Sequence, residues 1–341
     1  MIAGMDALVA AVQTNCDIAD ARHARDAGLC TYLLGMREFY RWEHELPCGE
    51  SPPRDAVGRW IAERELRWDR IAEEDFLAVP VAGEAFDPFA ARQVNAALAG
   101  SGLVYGAGVG RFHKPHFFLG QLVREEQRGE ARLLVCGREY ARDVSAIPAA
   151  SQGATLIVRR EALRQWLWEK AEGWNVKRQD GELKAALLAY GFDVDPQAAI
   201  ERMADGEIET LALHEEGEIA AGRMLGGDWS RMLADFAGKR AELLARAVRD
   251  NLADCLVTLP GLLKRGAPDS LHFWFSTFDG LRRELFPRLV DAYAEPAGGA
   301  AMLLDAAGAG RAHFAALGLR LLAMDETGIE ALSLDPAAIA L

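Results

Sequence analysis

The stretch EIETLALHEEGEIAAGRMLG, Glu207 to Gly226, most constrains what this chain can fold into. Asp205-Gly206 precedes it, Glu207 and Glu209 stand in its first turn, Arg223 lies near its end and Gly226-Gly227 stops it. That is the pattern of an α-helix whose charges match its dipole. Glu209, Glu216 and Arg223 recur every seven residues and form one narrow solvent stripe. His214 and Glu218 are four apart, so they neighbour each other, almost opposite that stripe and beside Leu211, Ala221 and Leu225. A helix that turns an imidazole and a carboxylate inward must be covered by elements that answer them, because an unpaired buried charge is very costly.

Elsewhere the pattern is mainly α, with two helical regions flanking a small β-hairpin or meander segment. Helices are expected over Asp6–Ala27 with Gly28 as C-cap, Thr31–Leu46, Asp55–Glu74, and from Asp87-Pro88 to about Ala99. The glycine-rich LVYGAGVG at Leu103 to Gly110 reads as extended. His116–Arg124 and Arg132–Tyr140 read as a hairpin around EEQRGE, with a third strand over Ala154–Arg159. Helices resume at Glu161–Glu172 and Asp180–Tyr190, and a short one starts at Asp195-Pro196. After the central helix come Ser230–Leu259 before Pro260, Asp269-Ser270 through Phe286, and Arg311–Ala323, with a loose tail. The texture divides the chain near Ser151-Gln152-Gly153. This gives an N-terminal helical domain over 1–150, carrying the β region at about 103–145, and a C-terminal helical domain over 151–341.

A net charge of −13 with no Lys/Arg cluster excludes non-specific binding to nucleic acid or anionic membranes. The N-terminus lacks a basic region, and its apolar run after Asp6 stops at Gln13, so no signal peptide is expected. No stretch of 18 apolar residues suggests a membrane span. Cys16, Cys30, Cys48, Cys136 and Cys255 are odd in number and contain no CxxC, which fits a reducing cytoplasm. The substrate, if there is one, is an unspecified small molecule, and homo-oligomerisation is left open.

Several further polar residues fall on apolar helix faces. Cys16, Asp20 and His23 share one side of the first helix with Val9, Val12 and Ala27, while Arg22 and Arg25 point away. Asp20 and His23 have the spacing by which helical bundles offer a carboxylate and an imidazole to a metal, and equally that of a plain hydrogen-bonded pair. In the second helix Glu43 shares a face with Leu29, Leu33, Met36 and Tyr40. HEEGE invites comparison with the zinc-peptidase signature HExxH: His214 would be a ligand and Glu215 the general base, but Glu218 stands where the second histidine belongs. Mid-helix Gly217 is unfavourable unless close packing requires it. Asp250 and Asp254 are also four apart, with Lys239 and Arg246 on their side, the pattern of a solvent-facing mixed-charge surface as well as of a ligand pair. His272, in a first helical turn, is a further candidate ligand, since a helix N-terminus favours neutral imidazole. RFHKPHFFLG sets Arg111, His113 and Lys114 beside Gly106, Gly108 and Gly110, a conceivable anion site without a Walker or GxGxxG spacing.

The blocks NCDIADARHA, RFHKPHFFLG and LHEEGE resemble those of an uncharacterised family of proteobacterial proteins, over most of the chain. That resemblance implies no activity and supplies no functional residues. The residues themselves support two readings. One is a cytoplasmic metal-binding protein, a non-haem iron or zinc enzyme, with His214 and Glu218 as core ligands, Asp20, His23, Asp250, Asp254 and His272 as further candidates, and Glu215 as base. The alternative is a non-enzymatic structural or protein-interaction module whose polar pairs are structural and whose aromatic run from Phe273 to Phe278 docks a partner.

Overall fold

The computed structural model describes residues 4–26, 28–295 and 299–341. The fold is mainly α-helical, with helical regions before and after a central sheet. The chain divides into two compact units. The first comprises residues up to Pro148 together with Ile157–Glu169, and the second comprises Ala149–Leu156 and the chain from Lys170 onward.

The first unit begins with α1 (Met5–His23), α2 (Leu29–Glu43) and α3 (Arg54–Ile71). Leu8, Val12, Cys16 and Ala19 follow helical spacing, and all four are buried in one core. Asp20 is fully buried, His23 partly so, and Arg22 and Arg25 are exposed, so the expected phase of α1 holds. Ala27 lies outside the described residues. Gly28 precedes α2 as its N-cap and does not close α1, which ends through a 3₁₀ turn at Ala24–Asp26. The expected face of α2 is only half right, because Met36 and Tyr40 are buried while Leu29 and Leu33 are exposed.

A two-stranded pair, β1 (Val79–Val81) and β2 (Glu84–Phe86), leads to α4 (Ala91–Ala97). The main sheet contains β3 (Leu103–Val109), β4 (Pro115–Arg128), β5 (Ala131–Arg142), β6 (Ala149–Gln152) and β7 (Thr155–Arg159), in the order β3-β4-β5-β7-β6. Gly129, at φ 58°, makes the β4–β5 turn in a conformation most side chains avoid. Glycine in β3 serves packing: a Cβ on Gly106 would collide with the ring of Phe118 on β4. The helix α5 (Arg160–Lys177) follows.

The second unit holds α6 (Glu182–Ala189), α7 (Pro196–Leu225), α8 (Gly227–Asp235), α9 (Lys239–Ala253), α10 (Leu259–Arg265), α11 (Pro268–Thr277), α12 (Gly280–Glu284), α13 (Pro287–Ala294), α14 (Gly299–Leu322) and α15 (Glu326–Ser333). The helix expected over Ser230–Leu259 is broken at Phe236–Gly238 and again by a π turn at Asp254–Thr258. The tail is packed, contrary to expectation: Leu341 N–H donates to Leu285 O, and Leu341 O accepts from Arg288 N–H. Phe273, Trp274, Phe275 and Phe278 are all buried, the last three in the core that also holds Leu244, Val248 and Phe314. That burial removes the aromatic run as an exposed docking surface. Among the described residues no helix is long and apolar enough to cross a membrane.

Candidate functional site

The helix α7 starts well before the expected Glu207. Asp195 accepts a hydrogen bond from Ala198 N–H and Pro196 occupies the first turn, so the chain runs helical without a break to its stop at Gly226 (φ 86°). This single element carries His214, Glu215 and Glu218. Gly217 between them meets α9 so closely that a Cβ would lie 2.5 Å from Ala253 O. The mid-helix glycine is therefore what lets the two helices approach.

Across from α7, α9 carries Arg249 and Asp250, and the π turn begins at Asp254. Pro260 has no N–H for the carbonyl four residues back, and its ring crowds that carbonyl. The turn before it widens, with Leu259 N–H reaching Asp254 O. Asp250 and Asp254 are buried, not solvent-facing, because α9 packs against α7, α14 and α15. Their partners are not the expected Lys239 and Arg246.

His214 Nδ1 lies 2.9 Å from Asp254 Oδ1. The other Asp254 oxygen accepts from Arg282 Nη2 at 2.5 Å. His214 Nε2 is 3.6 Å from Glu218 Oε1, too long for a good hydrogen bond. Arg249 Nη2 donates to Glu218 Oε1 at 2.5 Å and to Asp250 Oδ1 at 3.0 Å. One ligand atom from each of His214, Glu218 and Asp250 lies within 4.8 Å of the others, so this buried cluster could chelate a metal. Arg282 also stacks toward Trp274 and Phe278.

Electrostatics follow from burial against pairing. Burial favours the neutral imidazole of His214, yet Asp254 and Glu218 hold its pKa well above the ordinary histidine value. Burial would raise Glu218 and Asp254, but Arg249 and His214 pull the first far down, and Arg282 and His214 lower the second. Glu215 is different: burial and then the charge of Glu218 push it up to about 8, so it is protonated at neutral pH. Three carboxylates, Glu218, Asp250 and Asp254, thus meet three cations, Arg249, Arg282 and the imidazolium of His214.

The remaining sequence candidates stand elsewhere. Asp20 and His23 belong to the first unit, where Asp20 bonds Lys114 and His23 Nδ1 lies 3.1 Å from Asp26 Oδ2. His272 Nδ1 is 2.6 Å from the Tyr293 hydroxyl. Sequence reasoning missed Arg249 and Arg282. Arg249 sits beside Asp250 in the chain, which hinted at it; nothing local marked Arg282. The first unit has its own buried ion pairs, Arg142 and Arg159 on Glu139 and Arg64 on Asp17, which the exposed Arg67 also reaches.

Models of the N-terminal and C-terminal domains of a family of unknown function (DUF6866) match residues 7–159 and 164–334. No curated protein and no solved structure matches the chain.

Proposed function

Because the chain belongs to the DUF6866 family, whose description carries no activity, we infer function from the cluster itself: a closed ionic core in a non-enzymatic structural or interaction module. The observation that supports this is Arg249, whose guanidinium bridges Glu218 and Asp250 and so takes the place a cation would need. With three charges of each sign, the network is neutral without a metal ion, and buried ions are tolerated when paired in this way. The buried pairs of the first unit support the same role. Elemental analysis of protein purified without chelator or affinity tag, with thermal melts in and out of chelator, tests the reading. We expect no stoichiometric metal and unchanged melting. Stoichiometric metal, lost to chelator with a fall in melting temperature, would overturn it.

A second reading keeps the metal, and the orientation of His214 favours it. A carboxylate behind Nδ1 and an Nε2 turned toward other acids is how metal-binding histidines are held. Two ligands ~2.1 Å from one ion at a tetrahedral angle stand ~3.4 Å apart, close to the 3.6 Å between His214 and Glu218. In this reading Arg249 swings away, His214, Glu218 and Asp250 hold zinc or iron, Asp254 orients His214, and Glu215, whose pKa the charge of the dication would lower, is the base. Asp20, His23 and His272, each held by partners of its own, are the weaker ligand proposals. Either reading treats the protein as cytoplasmic, with two domains parting near residue 150.

A further inference from the structure

The motif RFHKPHFFLG, which the cluster of the second unit leaves unused, builds the β3–β4 loop and the start of β4. There Lys114 and His116 stand over two carboxylates with no exposure, Asp20 and Asp143. Lys114 Nζ donates to Asp20 Oδ1 at 3.2 Å and to the Ser145 hydroxyl at 2.7 Å. His116 Nδ1 lies 2.9 Å from Asp143 Oδ2. Backbone N–H groups complete the acids, Val144 on Asp20 at 2.8 Å and Ala146 on Asp143 at 2.9 Å. The acids are engaged from within and hold the basic groups in place.

What these contacts leave unused is donor capacity. Lys114 has a third N–H. His116 keeps its Nε2, since its contact with Asp143 is through Nδ1. Ser145 and Arg111 are exposed. Burial works against the ammonium of Lys114, but Asp20 and Asp143 raise its pKa, so it stays charged. Asp26, the exposed acid that also acts on Lys114, is paired with His23.

Two features show that the loops are shaped around these groups. Gly110 has an ordinary φ of −92°, so its backbone does not demand glycine. A Cβ there would come within 2.8 Å of His116 Cδ2 and Nε2, so glycine makes room for the ring. Phe112, His113 and Ala146 hold φ of 54°, 57° and 42°, a region rare for such residues, in the loops that carry the donors.

We propose that Lys114, His116, Ser145 and Arg111 form a binding site for a phosphate group. The test titrates the full-length protein with inorganic phosphate and, in parallel, methyl phosphate, following the His116 ring by NMR against potassium chloride of equal ionic strength. A saturable shift is expected, and the tighter probe distinguishes free phosphate from a phosphate ester. Arg111→Ala and Ser145→Ala, both at exposed positions, should keep the phosphate-free melting temperature and weaken binding by about tenfold each. A shift that does not saturate, or that chloride reproduces, would overturn the proposal, as would wild-type affinity in both variants.

Discussion

Replacing Arg249 by methionine tests the ionic core most directly. The substitution keeps the apolar stem and removes the guanidinium that separates Glu218 from Asp250. All three side chains are mostly covered, at 16%, 17% and 6% exposure, so solvent screens the loss only in part. Removing one partner of a buried pair typically costs ~3–5 kcal/mol, and the residual exposure puts this case near ~3 kcal/mol. For domains of ~150–250 residues that corresponds to a fall of roughly 6–12 °C in melting temperature. Arg231→Met is the control, since its pair with Asp228 is exposed, and it should shift stability by no more than about 0.5 kcal/mol. Melts followed by circular dichroism give both values. Arg249→Met also separates the two functional readings, because it opens the position that a dication would take. Recovery of the lost stability by stoichiometric zinc would favour the metal reading; no recovery would favour the closed ionic core. Equal melting temperatures for Arg249→Met and Arg231→Met would refute the reasoning altogether.

Two further predictions concern α7. Gly217→Ala should destabilise by ~1–3 kcal/mol through overpacking against Ala253, although helix propensity alone predicts a gain of ~1 kcal/mol; a more stable variant in denaturant titration would show that the helices can part cheaply. Glu215→Gln should flatten the pH dependence of stability. The folded pKa of Glu215 is raised to about 8, so the folded state binds the extra proton and wild-type stability falls as pH rises from the ordinary glutamate range through about 8. His214, also raised, adds a stabilisation that is complete below its unfolded value of ~6.5 and is lost, in the same direction, as pH climbs through its folded one. The glutamine variant should therefore gain on wild type between pH 6 and pH 9 in urea melts, and parallel curves would contradict the assignment.

The sequence was informative wherever the physics is local. The 3.6-residue period made His214 and Glu218 neighbours before any fold was known, and they are. It also set Cys16 and Asp20 inward while Arg22 and Arg25 faced water. Asp195-Pro196 and Gly226 mark the ends of α7 because caps are satisfied by the residues beside them. The extension of α7 across Asp205-Gly206 was misread, since a glycine that packs under Tyr190 looks the same in sequence as one that ends a helix. Strands as short as β1 and β2 contain too few residues for an alternation to register.

Tertiary structure alone decided what the polar residues do. Arg249 meets Glu218 across 31 positions and Arg282 meets Asp254 across 28, and no periodicity links residues so far apart. Whether Asp250 and Asp254 face water depended on how many sides of α9 the other helices cover, which a helical wheel cannot show. The same holds for Phe273 to Phe278, whose composition suits a docking surface and a core equally. A period states which residues share a face; only the packing of distant elements states what that face meets, and for a buried charge that partner sets both its pKa and its role.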